Sequence, residues 1–284
     1  MWKQKISLSL GNRYRAKTED LIPAVKAAGF DGISPEWEEG ADLAPIAEAA
    51  KREGLALVSL HGPYGIAADM WSEDESVSSP AIELLLASLE DAKRYGFPTL
   101  VCHVWIGFGE EPAPTACGLK NLERLVARAE ELSVKIAFEN TEGDAHLDAV
   151  LTHFKGRDAV GYCFDSGHEM CYNHSRDLLA LYGDRLFVSH LNDNLGISRF
   201  DGEIFWTDDL HLLPFDGICD WDATVSRLRA SRPLEYLNFE LSMVSKPNRH
   251  ENDAYGRLSY EEFFALAYTR ACRVAHKYAN TPLH

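Results

Sequence analysis

The sequence lacks the features that mark secreted and membrane-embedded proteins. Its six cysteines are scattered, and they form neither a Cys-x-x-Cys pair nor a compact disulfide framework, which is typical of reduced thiols in the cytoplasm. No apolar run approaches the roughly 18 residues that suggest a membrane span. The first residues, MWKQKISLSLG, contain no long apolar segment followed by a small-residue cleavage site, so no signal peptide is predicted. These absences predict a cytoplasmic protein that does not bind membranes.

Positive charge is also scarce. The chain has 28 Lys and Arg against 44 Asp and Glu, a formal net charge of -16. Long-range repulsion from such a surface opposes an encounter with nucleic-acid phosphates or anionic lipids. The same charge is compatible with the binding of divalent cations, which would offset part of it. We therefore expect small molecules and metal ions as partners, and no nucleic acid.

The chain shows no linker, no low-complexity tract and no shift in composition, so residues 1–284 are predicted to form a single domain. Short apolar runs alternate with amphipathic segments. The predicted strands are 6–10, 30–34, 55–62, 99–105, 134–140, 159–167, 185–193 and 234–242. The predicted helices are 18–29, 42–54, 80–96, 115–132, 145–154, 175–182, 221–231 and 260–279.

Eight strand–helix units in about 280 residues predict an α/β fold, a single (β/α)8 TIM barrel. A doubly wound open sheet is the alternative, and periodicity alone does not exclude it. The segment LSLGNRYR after the first predicted strand is not the glycine-rich phosphate loop of a dinucleotide-binding sheet. The absence of that loop favours the barrel.

The ends of the predicted strands carry most of the chemically versatile side chains. Six consecutive strands end in His61, His103, Glu139, Asp165, His190 and Glu240, and nearby loops add His168, Asp209 and His211. Taken alone, each has an ordinary explanation as a rim histidine or a helix cap. In a barrel, however, the strand ends meet at one mouth, and unpaired buried charge is costly. A divalent metal satisfies all of these residues together, and the mixture of imidazole and carboxylate favours Zn or Mn.

Several segments resemble one known family. They are HGPYG, FEN, FDSGH, HLNDN, DDLHLLPFDGICDW and the Glu of NFELS. Together they resemble the xylose isomerase-like TIM barrels, which include sugar isomerases, sugar epimerases and DNA-repair enzymes of the endonuclease IV type. The resemblance covers nearly the whole chain and is specific for the superfamily, but it distinguishes its activities poorly.

The epimerase branch implies a site with one divalent ion, held by Glu139, Asp165, His190 and Glu240. In those enzymes the two Glu residues move a proton on opposite faces of the reacting carbon, through a metal-stabilised enediolate. His168 would contact the substrate. The resemblance thus implies an isomerase or epimerase of a sugar, sugar phosphate or polyol, and dehydration of a keto-polyol is closely related chemistry.

The endonuclease IV branch implies a different reaction at the same positions. It uses nine ligands to hold three zinc ions and hydrolyses a phosphodiester. All nine have counterparts here, so His61, His103, His168, Asp209 and His211 are further candidate ligands, and one to three ions per chain are expected. Leu210 stands where both branches commonly place an Arg, and Phe215 replaces a glycine of the sugar enzymes. A metal-supported sugar-binding protein without activity is a third hypothesis.

Substrate contacts are predicted from residues that would face the mouth of the barrel. These candidates are His61, His103, His168, Glu36 and Trp105. The other mouth-loop tryptophans, Trp37, Trp71 and Trp206, are equally consistent with a hydrophobic lid or a dimer contact. Lys246 and Arg249 fit either a phosphate site or a solvated charged loop. A homo-oligomer is an open expectation, since the long last helix offers a surface for one.

Overall fold

The computed structural model describes residues 4–281. The strands are β1 Lys5–Leu10, β2 Gly32–Pro35, β3 Ala56–Leu57, β4 Leu60–His61, β5 Thr99–His103, β6 Lys135–Glu139, β7 Val160–Asp165, β8 Leu186–His190 and β9 Tyr236–Phe239. The helices are α1 Thr18–Ala28, α2 Ala44–Glu53, α3 Glu75–Tyr95, α4 Ala116–Leu132, α5 Asp144–His153, α6 Ser166–Cys171, α7 Leu178–Tyr182, α8 Trp221–Ala230 and α9 Tyr260–Asn280.

All paired strands run parallel, in two sheets ordered β3-β2-β1-β9 and β4-β5-β6-β7-β8. Two isolated parallel bridges join the sheets, Glu36 with His61 at one seam and Leu191 with Phe239 at the other. The backbone N–H of Trp37 donates to the His61 carbonyl at 2.8 Å across the first seam. The predicted TIM barrel is therefore confirmed, and the open doubly wound sheet is wrong.

The predicted third strand, 55–62, is interrupted in the structure. Its first part, β3, pairs with β2, and its second part, β4, pairs with β5. The two short segments together take the place of one barrel strand, so the interruption coincides with the seam between the sheets.

Two element boundaries differ from prediction for reasons of helix capping. Helix α3 begins at Glu75, before Pro80, because the Asp74 side chain accepts a hydrogen bond from the backbone N–H of Ser76. Strand β7 ends at Asp165 instead of continuing to 167, because Asp165 caps α6 by accepting from the backbone N–H of His168. This second cap places an acidic and an imidazole side chain at the same strand end.

The core lies between the strands and the surrounding helices. Strand β7 is buried along its whole length, as expected for a parallel strand covered on both faces. Leu8, Leu100 and Phe138 are fully buried. Burial of this kind stabilises each large apolar side chain by about 1.5–3 kcal/mol. The packed wall leaves the carboxyl ends of the strands as the place where polar side chains gather.

Candidate active site

The carboxyl ends of the strands surround a pocket of about 490 Å³, a size that suits a small molecule. Histidines and acids from the strand ends form its floor, and aromatic side chains form much of its wall. The polar lining includes Arg13, His61, His103, Glu142, His168, Asp209, His211, Glu240 and Lys246. The apolar lining includes Tyr64, Ile106, Phe108, Tyr172 and Trp206.

Glu139 is fully buried at the end of β6, next to His61 and His103 of the pocket lining. Its Oε1 is 3.0 Å from His190 Nδ1, and its Oε2 is 3.4 Å from His61 Nε2 and 3.5 Å from His103 Nε2. Burial opposes ionisation of Glu139, but His190, His103 and His61 outweigh it and hold its pKa well below the usual value. Glu139 is therefore a carboxylate shared by several imidazoles, and its Oε2 accepts no hydrogen bond.

A four-residue cluster is built around this carboxylate. The potential ligand atoms of Glu139, Asp165, His190 and Glu240 all lie within 4.8 Å of one another. Burial, together with repulsion from the nearby carboxylates of Glu139 and Glu240, raises the pKa of Asp165 to about 6. A divalent cation would relieve that repulsion, so the donor set fits a metal ion.

A second cluster consists of His61, His103 and Glu139. The Nδ1 of His61 is 2.8 Å from the Gly62 carbonyl, which fixes this nitrogen as the donor. Its Nε2 faces Glu139 Oε2 at 3.4 Å. Second partners of this kind orient histidines that bind metals, so this cluster also fits an ion.

A third cluster consists of His168, Asp209 and His211. His168 Nδ1 is 2.9 Å from the Asn140 carbonyl, and His211 Nδ1 is 3.1 Å from the Glu240 carbonyl. The Nε2 atoms of both rings consequently point to Asp209, at 3.7 Å for His168 and 2.7 Å for His211. Asp209 Oδ1 is buried and accepts no hydrogen bond. All nine candidate ligands that were predicted from the sequence thus lie together at the mouth of the barrel.

Arg13 is a cation of the site that was not predicted from the sequence. Arg13 lies in a 3-10 turn, Asn12–Tyr14, that follows β1. Its Nη2 is 3.0 Å from Glu240 Oε1, and its Nη1 donates to Glu36 Oε1. Burial opposes the charge on Arg13, but Glu240 and Glu36 outweigh it and raise its pKa. The signal was available in GNRYR, because the first strand also ends at the mouth.

The environment of Glu36 explains how this ion pair forms. A Cβ on Gly11 would lie 2.2 Å from Glu36 Cδ, so only glycine leaves room for the carboxylate. The hydroxyl of Tyr260 donates to the Tyr14 carbonyl at 2.7 Å and ties the turn to α9. The sequence predicted that Glu36 contacts the substrate. In the structure, the Glu36 carboxylate forms an ion pair with Arg13.

Trp105 was expected at the substrate, but it is not among the residues that line the pocket. Its ring stacks on His146 at 4.5 Å with an interplanar angle of 17°. His146 is fully buried, and its Nδ1 is 2.6 Å from Glu111 Oε1. Trp105 thus lies behind the pocket wall, where it supports the loop that carries Phe108.

The other candidate tryptophans divide into two groups. Trp37 is buried and donates to Asp91 Oδ2 at 2.9 Å, and Trp71 is buried and donates to the Val104 carbonyl at 2.7 Å. Both are parts of the protein core. Trp206 alone of the four lines the pocket.

The two candidate phosphate-binding cations are both paired. Lys246 Nζ lies 3.2 Å from Asp209 Oδ2, and Arg249 Nη1 lies 2.8 Å from Asp208 Oδ1. Arg249 also contacts Glu251 at 2.8 Å. Only Lys246 faces the pocket, so the loop is more than a solvated charged segment.

Comparison with known families agrees with this geometry. The profile of the family described as "Xylose isomerase-like TIM barrel" matches residues 22–258. The chain belongs to this family. Within residues 4–281, none of the helices has both the length and the apolar composition needed to cross a bilayer.

Two curated relatives match parts of the chain. An "Uncharacterized protein y4fM" of Sinorhizobium fredii is 32% identical over 206 residues, which are 67% of this chain and 63% of the relative. A "Probable endonuclease 4" of Natranaerobius thermophilus is 29% identical over 154 residues, 49% of this chain and 52% of that protein. The chain therefore spans less than two thirds of the length of either relative.

Solved structures match the fold over nearly the full chain. The IOLI protein with a bound zinc atom has a TM-score of 0.76 and 18% identity, covering 96% of this chain and 99% of that one. An L-ribulose 3-epimerase has a TM-score of 0.70 and 18% identity, covering 97% and 95%. At this identity the similarity establishes the fold alone.

Proposed function

We propose that the protein is a metal-dependent isomerase or epimerase of a small carbohydrate or polyol. One observation carries this proposal: Glu139 and Glu240 approach the same atom, His190 Nδ1, at 3.0 and 3.1 Å. Two carboxylates thus flank one candidate metal position at the strand ends. This arrangement suits a reaction that removes a proton from one side of a carbon and returns it from the other.

Glu139, Asp165, His190 and Glu240 are the residues that would hold the ion. A bound divalent cation would polarise a substrate carbonyl and stabilise the negative charge that develops on its oxygen. Glu139 Oε2 accepts no hydrogen bond, and in this proposal it takes the proton from the substrate. Glu240 keeps its Oε1 on Arg13 at 3.0 Å, which fixes the orientation of the second carboxylate.

The pocket wall fits a carbohydrate. Polar imidazoles can bind hydroxyl groups, and the faces of Tyr64, Phe108 and Tyr172 offer surfaces for the C–H groups of a sugar. The volume of about 490 Å³ accommodates a monosaccharide. The structural neighbours described as an L-ribulose 3-epimerase and a D-tagatose 3-epimerase-like protein also favour this class of substrate.

Solvent exchange tests the proposed function. The protein loaded with Mn²⁺ or Zn²⁺ is incubated in D₂O with a panel of ketoses and inososes, and deuterium incorporation is followed by NMR and mass spectrometry. We expect incorporation at the carbon next to the carbonyl for at least one compound, and loss of it in Glu139→Gln. Absence of exchange across the panel with the metal sites filled would contradict the proposal.

A second candidate function is a zinc-dependent phosphodiesterase. It is favoured by the second and third clusters, which add His61, His103, His168, Asp209 and His211 to the donor set, and by the relative described as a probable endonuclease 4. The net charge of -16 disfavours a duplex-DNA substrate. Turnover of bis-p-nitrophenyl phosphate that disappears in both His61→Ala and His211→Ala would support this candidate, and no turnover by the zinc-loaded protein would contradict it.

A further inference from the structure

Lys246 reaches into the third cluster from the loop after the last barrel strand. Its Nζ is 3.2 Å from Asp209 Oδ2, the oxygen that also lies 2.7 Å from His211 Nε2. The ammonium group lies 5.7 Å from the centre of the Trp206 ring, which adds a cation–π contact. The side chain is only 25% exposed and that of Asp209 8%, so this ion pair is shielded from solvent.

The clusters differ in how much negative charge they leave for a metal. The four-residue cluster contains the carboxylates of Glu139, Asp165 and Glu240, with Arg13 as its one permanent cation. It therefore retains an excess of negative charge that suits a divalent ion. The third cluster contains one carboxylate, Asp209, which Lys246 already neutralises.

Glu142 also lines the pocket, but it does not change the charge of the third cluster. Glu142 Oε1 accepts a hydrogen bond from the backbone N–H of Gly107 at 2.9 Å. Glu142 does not belong to any group whose ligand atoms converge for a metal among the described residues. Asp209 is thus the only carboxylate of the third cluster, and its partner Lys246 decides the local charge.

We propose that Lys246 acts as a resident cation that keeps a metal ion out of the third cluster. A divalent ion between His168, Asp209 and His211 would have to displace the ammonium group from Asp209 or lie beside it. Coulomb repulsion between the ammonium group and a divalent ion at such distances opposes metal binding there, even at the effective dielectric of a protein surface. Lys246 thereby limits the ions to the clusters around Glu139.

This inference rests on the proposed metal-dependent function and makes it more specific. With the third cluster closed to metal, His168 and His211 remain available to bind substrate hydroxyl groups, as a sugar isomerase requires. With that cluster filled, the site would gain the ion that a three-metal phosphodiesterase needs. A single side chain thus selects between the two chemistries that the nine residues allow.

Metal stoichiometry tests the inference without any substrate. The full-length wild type, Lys246→Met and Lys246→Arg are dialysed against buffered Zn²⁺ of increasing concentration, and zinc per chain is measured by elemental mass spectrometry. The control variant is Lys120→Met, which removes an exposed positive charge on α4, outside the pocket lining. The double variant Lys246→Met/Asp209→Asn removes the carboxylate of the third cluster as well.

We expect Lys246→Met to bind one more zinc ion per chain than the wild type, with an affinity for that ion at least about tenfold higher. Lys246→Arg, Lys120→Met and the double variant should match the wild type. Three zinc ions in the wild type, or an unchanged count in Lys246→Met up to saturation, would overturn the proposal. If Lys246→Met does not fold, Lys246→Gln provides the same test.

The result of the zinc measurement can be distinguished from the result of the deuterium-exchange experiment. The zinc count does not depend on any reaction, so an absence of deuterium exchange leaves the inference about Lys246 intact. Conversely, three zinc ions per chain in the wild type would overturn the inference about Lys246 and would favour the phosphodiesterase.

Discussion

The two sheets of the barrel end in different chemistry. The five-stranded sheet ends in imidazole and carboxylate groups that suit a metal ion, and we call it the metal side: His61, His103, Glu139, Asp165 and His190. The four-stranded sheet delivers Arg13, Glu36 and Glu240, which form an ion-pair network with a permanent cation inside it. The ends of the five-stranded sheet therefore carry no Lys or Arg among these residues, and the other side already contains an Arg.

Glu240 lies at the seam between these two regions and belongs to both. Its Oε2 is 3.1 Å from His190 Nδ1, on the metal side, and its Oε1 is 3.0 Å from Arg13 Nη2. Burial opposes ionisation of Glu240, but Arg13 and His190 outweigh it and hold its pKa well below the usual value. The comparison suggests a division of labour in which the five-stranded side binds the ion and the four-stranded side orients one of its carboxylates.

The largest expected effect comes from Glu139, which all of the histidines on the metal side share. We expect Glu139→Gln to lower turnover by about 10²–10⁴-fold, because the amide cannot take up a proton. Turnover is measured by the deuterium exchange described above, with Glu142→Gln as the matched control at the pocket wall. Circular dichroism of the metal-free variant should match the wild type, and an unfolded variant would show that Glu139 is structural instead.

The second-largest expected effect is a loss of metal affinity when a candidate ligand on the five-stranded sheet is removed. Asp165→Ala or His190→Ala is expected to weaken the binding of Mn²⁺ by at least about 100-fold, more than the loss of a residue that only supports a ligand. Isothermal titration calorimetry measures this change. Equal Mn²⁺ affinity in the wild type and both variants would show that the ion binds elsewhere. It would contradict the assignment of metal binding to the five-stranded sheet.

On the four-stranded side, Arg13→Met should act mainly on stability. It leaves the buried carboxylates of Glu36 and Glu240 without their cation, and we expect a loss of about 3 kcal/mol in the metal-free protein. Urea unfolding measures the free energy. The double variant Arg13→Met/Glu36→Gln should recover part of the loss, because one orphaned charge is gone.

Arg199 provides the control for that substitution. It pairs with Asp201 at 2.7 Å, but its side chain is 50% exposed, so Arg199→Met should change stability far less than Arg13→Met. If the two Arg variants lose the same stability, the network at Glu240 has no special role.

The smallest expected effect concerns the wall behind the metal side. Burial lowers the pKa of His146 from 6.5, more strongly than Glu111 raises it. The stability contributed by the neutral ring is therefore present above the unfolded pKa and is lost as the pH falls below it. We expect His146→Phe to flatten the decrease in melting temperature between pH 7 and pH 5.

His250→Gln is the control for this substitution, because it removes an imidazole whose side chain is 85% exposed. An identical slope in His146→Phe and the wild type would show that the buried ring does not titrate in this range.

The sequence predicted the metal side well and the other side poorly. A histidine or acid directly after an apolar run marks a strand end, and a barrel brings strand ends together, so His61, His103, Glu139, Asp165 and His190 could be identified from their positions. Arg13 and Lys246 lie on loops, whose paths depend on packing that periodicity does not encode. Trp105 was placed correctly after a strand, but its contact with a buried histidine depends on the neighbouring helix.

The most direct test of the account is a crystal structure of the Mn²⁺-loaded protein with anomalous data at the manganese edge. We expect one strong anomalous peak bonded to Glu139, Asp165, His190 and Glu240, with Lys246 still on Asp209. A protein without manganese at these four residues, or with its only ion between His168, Asp209 and His211, would contradict it.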